Sequence, residues 1–144
     1  MSHYSVTLLL GSNLGDTQKN IESAIMFVNS KLGEVILQTP LVYSDPVEFG
    51  STNIFCNIAI LIKTEFSPLK LLNMIKEIER EMGRIVDSSV TGTYADRVID
   101  IDIVMFENIL YECKTLQIPH QKHLYYRDFS RYLLQTLNTL KTQI

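Results

Sequence analysis

Four short apolar blocks, with helical periodicity between the first two and the last two, leave this chain few ways to fold. Residues 4–10, 35–43, 54–63 and 98–106 are of strand rather than helix length. After the first block Asp16 is placed to cap a helix running through Lys31. Ile21, Ala24, Ile25, Val28 and Leu32 share one face of it, and Gly33 lies past its end. Pro40 inside the second block implies an edge position or a bulge. The third block is strongly β-branched, Ser67-Pro68 opens a second helix, and Gly83 closes it. Phe129, Leu133, Leu137 and Leu140 are spaced for a terminal helix. The order strand, helix, strand, strand, helix, strand predicts an α+β fold of the ferredoxin-like βαββαβ type. Its antiparallel sheet carries helices on one face, and a C-terminal helical tail follows. The 144 residues are expected to form a single domain, 1–144.

Charge and composition exclude several function classes. Thirteen basic against 16 acidic side chains leave a net charge of −3, which argues against general affinity for nucleic acid or an anionic membrane. No apolar run approaches the ~20 residues of a membrane span. No basic region precedes residues 6–10, so a secretory signal is not expected either. With two cysteines, Cys56 and Cys113, the expected setting is a reducing cytoplasm with free thiols.

Candidate chemistry concentrates in the second half. In Val98-Ile99-Asp100-Ile101-Asp102-Ile103 the isoleucines share one strand face and Asp100 and Asp102 the other. Two such carboxylates stand about 6.6 Å apart, and like charges so close call for a cation, for which hard oxygen ligands suit Mg²⁺. The plain alternative is a solvated strand face. All five arginines, Arg80, Arg84, Arg97, Arg127 and Arg131, lie around this pair and the long aperiodic stretch 84–96, the pattern of a polyphosphate site. On the second helix Glu79 falls within the apolar arc of Leu71, Leu72, Ile75, Ile78 and Met82. It is either a boundary residue reaching solvent or a carboxylate holding a loop or an arginine from beneath.

On the third strand Phe55 and Asn57 share a face, where a ring beside a carboxamide suits a flat heterocycle; ordinary packing is the competing reading. Gly11-Ser12-Asn13-Leu14-Gly15-Asp16 lacks the P-loop ending and the Rossmann glycine spacing, and reads as a turn plus helix cap. His120, after Pro119, suits a phosphate contact or a structural role. His3, His123 and the two cysteines show no zinc spacing.

Together these residues resemble a known family. Gly-Ser-Asn-Leu-Gly-Asp, Phe-x-Asn, Ile-Glu-x-x-x-Gly-Arg, Arg-x-x-Asp-x-Asp and Ile-Pro-His are similar to the motifs of 6-hydroxymethyl-7,8-dihydropterin pyrophosphokinases from Val6 to about Leu137. The resemblance implies Mg²⁺-dependent diphosphate transfer from ATP to the pterin hydroxymethyl group, releasing AMP, in folate biosynthesis. Asp100 and Asp102 correspond to ligands of two Mg²⁺ ions. Phe55 and Phe129 fall where the family sandwiches the pterin ring, Asn57 where an amide reads its edge, and Pro46 and Val47 in the loop over it. Arg84 and Arg97 match phosphate-gripping arginines, His120 and Arg127 match nucleotide contacts, and Glu79, the family's glutamate on that helix, is expected with them among the nucleotide-binding residues. Where relatives carry Arg-Trp-Gly-Pro-Arg this chain reads Thr93-Tyr94-Ala95-Asp96-Arg97, so Tyr94 stands in for a tryptophan lid over the nucleotide. Val86 and Gln121 also depart from the pattern. The expected partners are ATP and the pterin alone, with no nucleic acid or membrane, and a monomer is expected. The rival class is a non-catalytic ligand-binding module of the same fold, which AMP release with a pterin acceptor would separate from an enzyme.

Overall fold

The structure, a computed structural model, describes residues 3–45, 53–83 and 97–144. Its elements run in chain order β1 (Tyr4–Ser12), α1 (Thr17–Lys31), β2 (Glu34–Gln38), β3 (Val42–Ser44), β4 (Phe55–Thr64), α2 (Pro68–Gly83) and β5 (Asp100–Phe106). A hairpin of β6 (Tyr111–Cys113) and β7 (Leu116–Ile118) follows, then a π turn, Lys122–Tyr126, and α3 (Asp128–Lys141). The main sheet has the order β2-β4-β1-β5, with β3 also on β4, and every pairing is antiparallel. This is the expected ferredoxin-like arrangement.

Local chemistry explains the boundaries. The Asp16 carboxylate accepts from the Lys19 backbone N–H at 3.2 Å, as a helix cap does. Gly33 is required where α1 turns into β2, because a Cβ there would lie 2.0 Å from the Lys63 carbonyl oxygen. The block 35–43, expected as one strand, is instead β2 and β3, broken at residues 39–41. Pro40 has no N–H to give the ladder. Buried Thr39 bridges the break: its N–H donates to the Ala59 carbonyl at 3.0 Å and its Oγ1 accepts from the Ala59 N–H at 3.1 Å.

Strand alternation splits the core in two. Val6, Leu8, Leu10, Ile58, Ile60, Ile101 and Ile103 pack against Ile21, Ala24 and Val28 of α1 and Leu71, Ile75 and Ile78 of α2. Leu9, Ala59, Leu61 and Val104 point the other way, onto Leu133, Leu134 and Leu137 of α3. As expected, α1 and α2 cover one face; the C-terminal helix α3 packs on the other and makes a third layer. Each buried leucine of α3 contributes about 1.5–3 kcal/mol relative to exposure. The rest of that face is polar and lies beyond the cover of α3.

Candidate active site

The open part of the α3-side face is built by strand register. Gly11 of β1 pairs with Asn57 of β4 on one side and with Asp100 of β5 on the other, so the three form one lateral row. One row further along β5, Asp102 pairs with Leu9. A Cβ on Gly11 would meet Asn57 Oδ1 at 3.1 Å and Phe55 Cδ1 at 3.4 Å, so the glycine keeps a depression between the carboxamide and the carboxylate. Asn57 is buried, and its amide donates to the Val42 carbonyl at 3.1 Å and Ser44 Oγ at 2.8 Å. That locks its orientation and turns its Oδ1 toward the depression. Beside it a cleft of about 500 Å³ is lined by Tyr43, Ser44 and Ile54 on one wall and Arg127 and Phe129 on the other.

The two carboxylates sit in different fields. Burial, the Asp102 charge and the Glu79 charge push Asp100 up to about 7, against the opposing pull of Arg97 and Lys76. Burial also disfavours the Asp102 anion, but the hydrogen bond and charge of His123, with His120 and Arg127 behind them, prevail and hold its pKa below the ordinary carboxylate value. The two carboxylates stand on one strand face, and their hard oxygens fit a divalent cation such as Mg²⁺. Burial and the neighbouring His123 lower the pKa of His120, so it stays neutral at pH 7.

Three supports under this face were not expected from the sequence. Asn13 is more than part of a turn: its Oδ1 accepts from the Arg97 backbone N–H at 2.6 Å while its own N–H donates to the Arg97 carbonyl at 3.1 Å. These bonds anchor Arg97, whose guanidinium lies 3.5 Å from Asp100 Oδ1. Among the described residues Glu79 Oε2 accepts from the Ile101 N–H at 2.8 Å, between the two aspartates, and its Oε1 is 3.4 Å from Lys76 Nζ; Arg84 and the stretch 84–96 lie outside the described residues. The largest miss is His123. It is 2 % exposed, with Nε2 2.7 Å from Asp102 Oδ2 and Nδ1 2.6 Å from Ser130 Oγ. The His-x-x-His spacing of His120 and His123 was the available signal.

Phe55, Asn57, Asp100, Asp102 and Phe129 therefore share one face, with His120, Arg127 and Arg97 at its margin. Glu79 reaches β5 from α2, on the other side of the sheet. Pro46, Val47, Arg84 and Tyr94, with Val86 and the stretch 84–96, lie outside the described residues. Among the described residues no helix is long and apolar enough to cross a membrane.

A carboxylate pair with Arg97 beside it, next to a cleft lined by Tyr43, Arg127 and Phe129, marks the open face of an α+β sheet protein as its site. The chain belongs to the family described as 7,8-dihydro-6-hydroxymethylpterin-pyrophosphokinase (HPPK), which its residues 7–139 match. A 2-amino-4-hydroxy-6-hydroxymethyldihydropteridine pyrophosphokinase of Porphyromonas gingivalis is 33% identical over 129 residues, covering 88% of this chain and 85% of that protein. The protein of the same name from Bacillus subtilis is 30% identical over 123 residues, covering 85% and 71%. A crystal structure of Plasmodium falciparum HPPK-DHPS with pterin and p-hydroxybenzoate superimposes with a TM-score of 0.66 at 18% identity. The match covers 95% of this chain and 40% of that longer one, a likeness of fold.

Proposed function

We propose that this face is where the chain, as a pterin pyrophosphokinase, transfers diphosphate from ATP to 6-hydroxymethyl-7,8-dihydropterin in folate synthesis. Asp100 and Asp102 hold two Mg²⁺ ions in this reading, and the chain acts as one domain. The observation that carries it is the shared row of Asn57, Gly11 and Asp100, which sets a ring-edge reader beside the carboxylate pair.

The pterin hydroxyl oxygen attacks the β-phosphorus of ATP, the bond from that phosphorus to the α–β bridging oxygen breaks, AMP leaves, and the hydroxyl proton is released to solvent. Bound Mg²⁺ would supply charge neutralisation on the polyphosphate. The chain's own residues position and neutralise. Phe55 and Phe129 stack on the ring, and Asn57 Oδ1 accepts from a ring-edge N–H. Pro46 and Val47 cover the ring. Arg97, steadied by Asn13, and Arg84 face the transferring group, while His120, Arg127 and Tyr94 contact the nucleotide. Glu79 acts from beneath, by pinning the β5 backbone between the two aspartates. Such a site accelerates by orientation and fixed charge.

Incubation with Mg-ATP and the pterin, followed by mass spectrometry, tests the assignment. Diphosphorylated pterin and AMP in equal amounts are expected. Pterin binding without AMP release would overturn it in favour of a non-catalytic binding module.

A further inference from the structure

Asp102, His120 and His123 are the one group of three His, Cys, Asp or Glu side chains among the described residues able to converge on an ion. One ligand atom from each lies within 4.8 Å of the others. His123 Nε2 is 2.7 Å and His120 Nε2 4.0 Å from the same oxygen, Asp102 Oδ2, and the two imidazole rings lie 4.3 Å apart. Ligands on a tetrahedral zinc ion, at about 2.0–2.1 Å each, are about 3.3 Å from one another. The two spacings to Asp102 Oδ2 lie on either side of that value, so the three side chains need only small movements to share an ion.

We propose that Asp102, His120 and His123 form a binding site for one borderline transition-metal ion of the Zn²⁺ class, distinct in chemistry from the Mg²⁺ assigned to the aspartate pair. Two imidazoles and one carboxylate are a donor set that such ions favour. Magnesium takes oxygen ligands in octahedral array and has little use for the histidines.

Two further observations support the site. Nε2 of His120 stands 4.0 Å from the carboxylate, within reach of an ion held there. The fold fixes this residue, because its backbone N–H donates to the Val104 carbonyl at 2.9 Å and its carbonyl accepts from Leu124 N at 3.2 Å. His123 in turn has the outer partner of a metal-bound imidazole. When Nε2 is given to a metal the ring proton sits on Nδ1, and Nδ1–H donates a hydrogen bond to Ser130 Oγ. The π turn carries His123 inward, and such turns recur at functional sites.

The test is titration of Zn²⁺ into the full chain without nucleotide, with Mg²⁺ in excess and a chromophoric chelator as competitor. One Zn²⁺ per chain is expected, and Co²⁺ in its place should show the intense visible absorption of a tetrahedral ion. His120→Ala and His123→Ala should each weaken Zn²⁺ by more than about 100-fold, and Ser130→Ala by about 10-fold, the range for an outer partner. Asp100→Asn should weaken Zn²⁺ less than either histidine variant, since Asp100 is outside the donor set and acts on the ion through its charge alone. Thermal melts establish that each variant is folded, and if buried His123→Ala is not, half-buried His120→Ala decides. Absence of stoichiometric Zn²⁺, wild-type affinity in a folded histidine variant, or a greater loss of Zn²⁺ with Asp100→Asn than with either histidine variant would each overturn the site. Because no nucleotide or pterin is present, these outcomes are independent of the pyrophosphokinase assay.

Discussion

Replacing Asp100 with Asn should make the metal-free protein more stable at pH 8 while removing its activity. Asp100 stands two residues from Asp102 on one strand face, so their charges are about 6.6 Å apart. At an effective dielectric of about 20 that repulsion is about 2.5 kcal/mol. The Arg97 guanidinium, 3.5 Å away but exposed, returns about 1 kcal/mol at most. Solvent at the one-third-exposed Asp100 side chain trims the remainder to about 1–1.5 kcal/mol. For a chain of this length the melting temperature should rise by roughly 2–6 °C.

The sign with pH follows from the raised pKa of about 7. A carboxyl whose folded pKa lies above its unfolded one contributes stability that is complete below pH ~4 and lost as pH rises through 7. Wild type therefore weakens over that window and the Asn variant does not. The gap between them should be near zero at pH 4 and full at pH 8. Added Mg²⁺ should stabilise wild type at pH 8 far more than the variant, and turnover of the variant should fall by at least about 10²-fold. Melts at both pH values with and without Mg²⁺, paired with product detection, measure all of this. A variant that melts no higher than wild type at pH 8, or that keeps its turnover, would refute the reasoning.

Phe55→Ala should weaken pterin binding at least tenfold, from lost stacking of about 0.5–1.5 kcal/mol plus lost burial, and leave ATP-analogue affinity alone, as calorimetry with both ligands will show. Asn13→Ala strands the Arg97 N–H and should cost about 1–3 kcal/mol in urea unfolding. Under the proposed role of Arg97 at the transferring group, the same change should lower kcat about tenfold or more without altering pterin affinity. Gly33→Ala drives a methyl into the Lys63 carbonyl and should cost at least about 1–3 kcal/mol; a neutral effect in denaturant unfolding would contradict the close packing of α1 on β4.

The strands and helices were legible in the sequence because their signals are local. Block lengths, the Asp16 cap and the alternation around Asp100 and Asp102 depend on neighbours within a few residues, so the α+β order and the carboxylate face followed from them. The break at Pro40 was half visible: the proline announced an irregularity, but Thr39 reaching Ala59 across 20 residues closed it. The β6–β7 hairpin was not visible, since two three-residue strands joined at Lys114-Thr115 carry neither a period nor a turn signature. Side-chain partners were decided by tertiary structure alone. Asn13 meets Arg97 across 84 residues, Glu79 meets Ile101 across 22, and His123 meets Asp102 across 21. The physical reason is that a hydrogen bond acts over about 3 Å, and only the folded sheet decides which distant groups come that close.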